Sequence, residues 1–166
     1  MTSYYPNSSI AGANFNSTNT AQQFTLGTKA LGSSGTQWMY VYMSGACSAG
    51  SAVAVSQTGT AAAASIALAM TPTKTIAFAQ TAFSAADYGW VANGGLALTV
   101  QMSATTAAVT TALYIGTTSG HMTTTAGSAT MLGVQISAGS SATATVWTNE
   151  GVVTWPRIGN ANLTDS

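Results

Sequence analysis

The chain has 166 residues, a length for one domain or at most two small ones, and Ala, Thr, Ser and Gly account for 95 of them. Six residues carry formal charge, Lys29, Lys74, Arg157, Asp87, Glu150 and Asp165, and they sum to zero, whereas about a quarter of an ordinary domain is charged. This composition excludes a phosphate-neutralising nucleic-acid surface, a polybasic segment for an anionic membrane and a charged interaction tail.

Residues 1–23 form a distinct stretch in which Asn7, Asn14, Asn16 and Asn19 stand among Ser and Thr with no apolar period. Such a stretch has too little apolar surface to build its own core. It carries Tyr4, Tyr5, Ile10 and Phe15 as scattered anchors, and we read it as an extended N-terminal arm whose anchors dock on a neighbouring subunit or partner surface. Its first residues have neither a positive region nor an apolar core, so no signal peptide is expected.

From Phe24 onward the pattern is that of strands. Thr36–Ser44 places Trp38, Tyr40 and Tyr42 on one face and Met39, Val41 and Met43 on the other, as expected of a central or interface strand. With Gly45–Gly50 as a loop and Val53 and Val55 alternating behind it, residues 36–56 read as a hairpin-like unit. The run Ala61–Met70 fits a short helix or a strand equally and is too short to cross a membrane as a helix. Ile76 and Phe78 alternate with small residues. Tyr88–Ala92 then runs into Asn93-Gly94, the strongest short hairpin signal, before Leu96, Leu98, Val100 and Met102. A hairpin over 88–102 is therefore predicted, with Trp90 on a half-buried strand.

Further short strands are expected at 112–115, near 121–124, at 132–136, at 143–147 and at 152–155. About nine or ten short strands separated by Gly, Asn and Ser turns predict an all-β protein. The expected architecture is an antiparallel β-sandwich or barrel, with the arm at 1–23, a β domain at 24–158 and a C-terminal tail at 159–166.

Catalytic, metal-binding and cofactor-binding motifs do not emerge. His121 is the single histidine and Cys47 the single cysteine. No G-x-S-x-G elbow, P-loop or G-x-G-x-x-G occurs, and the three acids are too few and too scattered to suggest a paired-carboxylate site. The expectation is a non-enzymatic chain with no cofactor. Three N-x-[ST] triplets, at Asn7, Asn16 and Asn162, match what 47 hydroxyl residues produce by chance. Trp38, Tyr40, Tyr42 and Trp90 are candidate core or interface aromatics, because Trp and Tyr combine large burial with one polar handle. Lining a sugar platform is the lesser alternative for such rings.

Several segments follow one another along the chain: Leu26-Gly27-Thr28, Ala30-Leu31-Gly32, Gly35-Thr36-Gln37-Trp38-Met39-Tyr40-Val41, Ile76-Ala77-Phe78-Ala79-Gln80, Asp87-Tyr88-Gly89-Trp90-Val91, Ala112-Leu113-Tyr114, Leu132-Gly133-Val134 and the Trp147 to Trp155-Pro156 end. In this order the chain resembles a family of small bacteriophage virion proteins that decorate the capsid. The resemblance spans about residues 24–158, and Tyr-Gly-Trp-Val is its most specific piece. It implies a β-rich, non-enzymatic cement protein on the virion, made in the host cytoplasm. The implied partners are the major capsid protein and the protein itself, as a trimer rather than a dimer. A head-fibre base or a tail-associated adhesion module binding host glycans is the alternative.

Overall fold

The computed structural model describes residues 13–32, 35–69, 71, 73–95, 97–103, 113–125, 129–131, 134–139, 142–148 and 158–160. Two short strands, β1 (Thr18–Asn19) and β2 (Lys29–Leu31), precede five that wrap into a barrel. These are β3 (Gln37–Met43), β4 (Ala52–Ser56), β5 (Thr60–Ala63), β6 (Lys74–Phe78) and β7 (Tyr88–Gly94). Their order is β7-β6-β4-β5-β3, and β3 pairs back onto β7 to close the ring. Five strands cannot close with every neighbour antiparallel, because the directions must alternate around the ring. The odd pair is β3 with β5, which run parallel with Tyr42 opposite Thr60 and Met43 opposite Ala61.

Alternation along each strand then sorts the side chains. One cluster draws only on the barrel and its loops: Met39, Val41, Met43, Val53, Val55, Ala61, Ala77, Ala79, Phe83 and Val91. This is the barrel interior. About eight strands are needed before an interior is just wide enough for side chains to fill it, so five admit mainly Val, Ala and the slender Met. The other face, with Trp38, Tyr40, Ala52, Ala54, Ile76, Phe78, Trp90 and Ala92, belongs to a larger cluster shared with the rest of the chain. Both faces of β3 are thus buried, as its double apolar pattern requires.

The outer face is covered by two small sheets. One has the order β12-β13-β8, with β8 (Leu98–Gln101), β12 (Val134–Gly139) and β13 (Thr143–Thr148). The other has the order β10-β9-β11-β14, with β9 (Leu113–Ile115), β10 (Met122–Thr123), β11 (Ala129–Met131) and β14 (Ile158–Asn160). Leu98, Val100, Leu113, Ile115, Met122, Ile136 and Val146 pack into the same cluster as the barrel wall. Polar stitches hold the layers in register. The Gln80 side chain imitates a strand backbone: its Nε2 donates to the Thr99 carbonyl at 3.1 Å and its Oε1 accepts from the Thr99 N–H at 3.0 Å. The expected all-β class, barrel or sandwich, is what forms. The one described helix is α1 (Ile66–Ala69), a single turn, begun where the Ser65 hydroxyl accepts the Leu68 N–H at 3.2 Å.

Three local expectations are corrected, and one left open is resolved. The 88–102 hairpin does not form, because β7 pairs with β1, β3 and β6 while β8 pairs with β13. Asn93 lies inside β7, and the chain turns away only at Gly95 and Ala97, which have φ of 140° and 56°. Likewise β3 and β4 are not hairpin neighbours, since β5 lies between them. In the run that fitted helix or strand equally, residues 61–63 end β5 and Ile66–Ala69 form α1. The boundary at 158 also moves, for β14 continues through Asn160 and pairs with β11.

Candidate functional site

The largest concentration of chemistry-bearing side chains is an aromatic stripe on the outer face of β3 and β7. Register creates it: Tyr40 lies opposite Trp90 and Tyr42 opposite Tyr88. Directly opposed residues on one sheet face have Cβ atoms roughly 5 Å apart, so the rings must meet. Tyr40 and Trp90 sit edge to face with centroids 5.2 Å apart, and Tyr42 and Tyr88 tilt together at 5.1 Å. Gly89 between them is required because the Phe83 ring covers it. A Cβ there would lie 2.7 Å from Phe83 Cε1. This accounts physically for the Tyr-Gly-Trp-Val spacing.

The N-terminal segment closes the stripe. Phe15 stacks on Trp38 at 5.1 Å with planes 3° apart, and meets Trp90 edge-on at 5.2 Å. Phe24 packs on Tyr40 and Trp90. The Tyr40 hydroxyl accepts the Gln23 N–H at 2.9 Å, which satisfies the one polar atom of a fully buried ring. β1 pairs Thr18 and Asn19 with Gly89 and Tyr88, at the end of β7 beyond its pairing with β6.

Of the four proposed arm contacts, Phe15 is therefore corrected. It is 3% exposed and its ring is committed to its own barrel, because two indoles offered a slot of matching shape. The arm reading for residues 13–23 is corrected with it, since this part belongs to the domain. Tyr4, Tyr5 and Ile10 lie outside the described residues. Trp38, Tyr40 and Trp90 are core residues. Tyr42, with Tyr88, remains half-buried at the open end of the stripe.

The titratable groups are dispersed. Asp87 is buried and its Oδ2 accepts the Ser84 N–H at 2.9 Å, closing a turn. His121 is half-buried, with Nδ1 3.4 Å from the Met102 carbonyl. Burial pushes the Cys47 thiol up from 9.0 to about 11, opposed in part by a hydrogen bond from the Phe83 backbone. A thiol so raised is a poor nucleophile. Among the described residues no three His, Cys, Asp or Glu side chains gather as a metal site would require.

Sequence reasoning missed one cavity, of about 330 Å³, beside β2 and the β4–β5 turn. Met39 and Val55 line it together with Gln57, Thr73, Thr75 and Lys29. Its volume is at the lower end of small-molecule sites. No motif marks it, because its residues come from four separate parts of the chain. No protein-family model matches the chain, and no curated protein matches it significantly.

Proposed function

We propose that this protein is a non-enzymatic virion protein that decorates and stabilises an assembled phage capsid. Its proposed partners are the major capsid protein and further copies of itself, with a trimer favoured. The observation that carries the reading is a well-packed β body with almost no surface charge. Of the charged residues, the described body holds Lys29, Lys74 and Asp87, and Asp87 is buried.

Such a surface makes contact through methyl groups, hydroxyls and half-buried rings such as Tyr42 and Tyr88. Contacts of that kind lose little side-chain entropy, since Ala loses none and Thr and Ser little. They are also insensitive to salt. A protein that binds only the assembled lattice stabilises it by mass action over many copies. The order of segments that resembles capsid-decorating proteins supports the same reading, as does the all-β fold. Trp38, Tyr40 and Trp90 are buried, so a glycan-binding adhesion module draws no support from these three rings.

Co-sedimentation tests the proposal. The full chain, mixed with undecorated heads, is expected to pellet with them in saturable, near-lattice stoichiometry at both low and high salt. Failure to pellet, or copies limited to a dozen or fewer per particle, would overturn it. Removing residues 1–12, which keeps Phe15 and β1, then tests Tyr4, Tyr5 and Ile10 as anchors. Undiminished pelleting across a dilution series would remove them.

A further inference from the structure

The chain contains one Asn-Gly pair, Asn93-Gly94. In a flexible chain this pair modifies itself. The Gly amide nitrogen gives its proton to water and attacks the Asn side-chain carbonyl carbon. A C–N bond closes a five-membered succinimide, and the side-chain nitrogen leaves as ammonia. Water then opens the ring at either carbonyl, leaving aspartate or isoaspartate. Glycine in second place leaves the attacking nitrogen unhindered, having no Cβ to crowd it.

The barrel restrains the groups that this reaction must bring together. Asn93 is 6% exposed. It is the extra residue of a bulge in β7: Trp38 lies opposite Ala92, and Gln37 opposite Gly94. Pairing with β3 on both sides of the bulge fixes the backbone here, so the following nitrogen is not free to swing onto the side-chain carbonyl. Gly95 is clamped as well, since an added Cβ there would lie 2.7 Å from Thr36 Cα. Meanwhile Asn93 Oδ1 is buried with no hydrogen-bond partner. The site holds a neutral amide at some cost, and its unpartnered oxygen position gives a carboxylate no hydrogen bond there to offset desolvation. An isoaspartate would also lengthen the backbone by one carbon and break the β3–β7 register.

We propose that Asn93-Gly94 is a latent deamidation site that folding closes. The unfolded chain converts it with water as co-reactant, and the barrel does not re-form around the product. The experiment ages the full chain at mildly alkaline pH, once folded and once in urea. Peptide mass mapping follows residue 93, and dilution from urea measures the refoldable fraction. Conversion at Asn93 is expected to be at least about a hundredfold slower in the folded protein, as when exposure needs an opening populated at one per cent or less. The refoldable fraction is expected to fall in step with conversion in urea. An Asn93→Gln chain, whose side chain would need a less favourable six-membered ring, should keep its amide over the same period. Equal rates in the folded and unfolded chains, or full refolding of converted chains, would overturn the proposal. Retention of the amide in urea would do so too.

Discussion

Truncating Phe15 to alanine tests whether the N-terminal segment is part of the domain. The ring is 3% exposed and forms two aromatic pairs, stacked on Trp38 at 5.1 Å and edge-on to Trp90 at 5.2 Å. Burying a Phe side chain contributes about 1.5–3 kcal/mol, and each ring pair adds about 0.5–1.5 kcal/mol. Phe15→Ala should therefore cost roughly 3–5 kcal/mol, the range for large-to-small changes in cores. In a domain of this size that lowers the melting temperature by roughly 6–20 °C. Tryptophan fluorescence is a suitable probe, because the deleted ring borders two indoles directly. Asn19→Ala, at an exposed position nearby, serves as control and should stay within about 0.5 kcal/mol. An unchanged melting temperature for Phe15→Ala would show that residues 13–19 only rest on the barrel, and the reasoning would fail.

Trp90→Ala removes the ring at the centre of the stripe and should cost about 3–5 kcal/mol; a denaturant midpoint equal to that of the intact protein would contradict its place in the core. Gly89→Ala drives a Cβ into the buried Phe83 ring, 2.7 Å away, and should cost roughly 1–3 kcal/mol through overpacking. Combining it with Phe83→Leu should recover part of that loss, and an additive double variant would argue against the contact. Cys47 should alkylate far more slowly in the folded protein than in urea at pH 8, since burial holds its thiol near 11 rather than 9.0. Folding favours the protonated thiol, so its contribution to stability is complete below about pH 9 and is lost as pH rises towards 11. Comparison with Cys47→Ala between those pH values isolates the effect, and identical pH profiles would refute it.

The all-β class was legible because short alternating runs between Gly, Asn and Ser turns admit little else. The double apolar pattern of residues 37–43 also foretold a strand buried on both faces. Alternation is a local property, and it survives whatever the strand pairs with. Pairing is not local. The Asn93-Gly94 signal is a genuine turn preference, yet it was overridden because closing a five-stranded ring requires β7 to stay extended against β3 as far as Gly94. The insertion of β5 between β3 and β4 has the same origin, since an odd ring needs one parallel pair and only a crossover supplies it. Phe15 was legible as an anchor but not as to whose surface it anchors. That depended on Trp38 and Trp90, 23 and 75 positions further along the chain, being brought side by side. Composition determined the charge-poor surface outright, because six charges cannot cover a body of this size however it folds. Which rings that surface hides and which it leaves half-open, Trp38 and Trp90 on one side and Tyr42 and Tyr88 on the other, follows from strand register and from the segment that closes over one end.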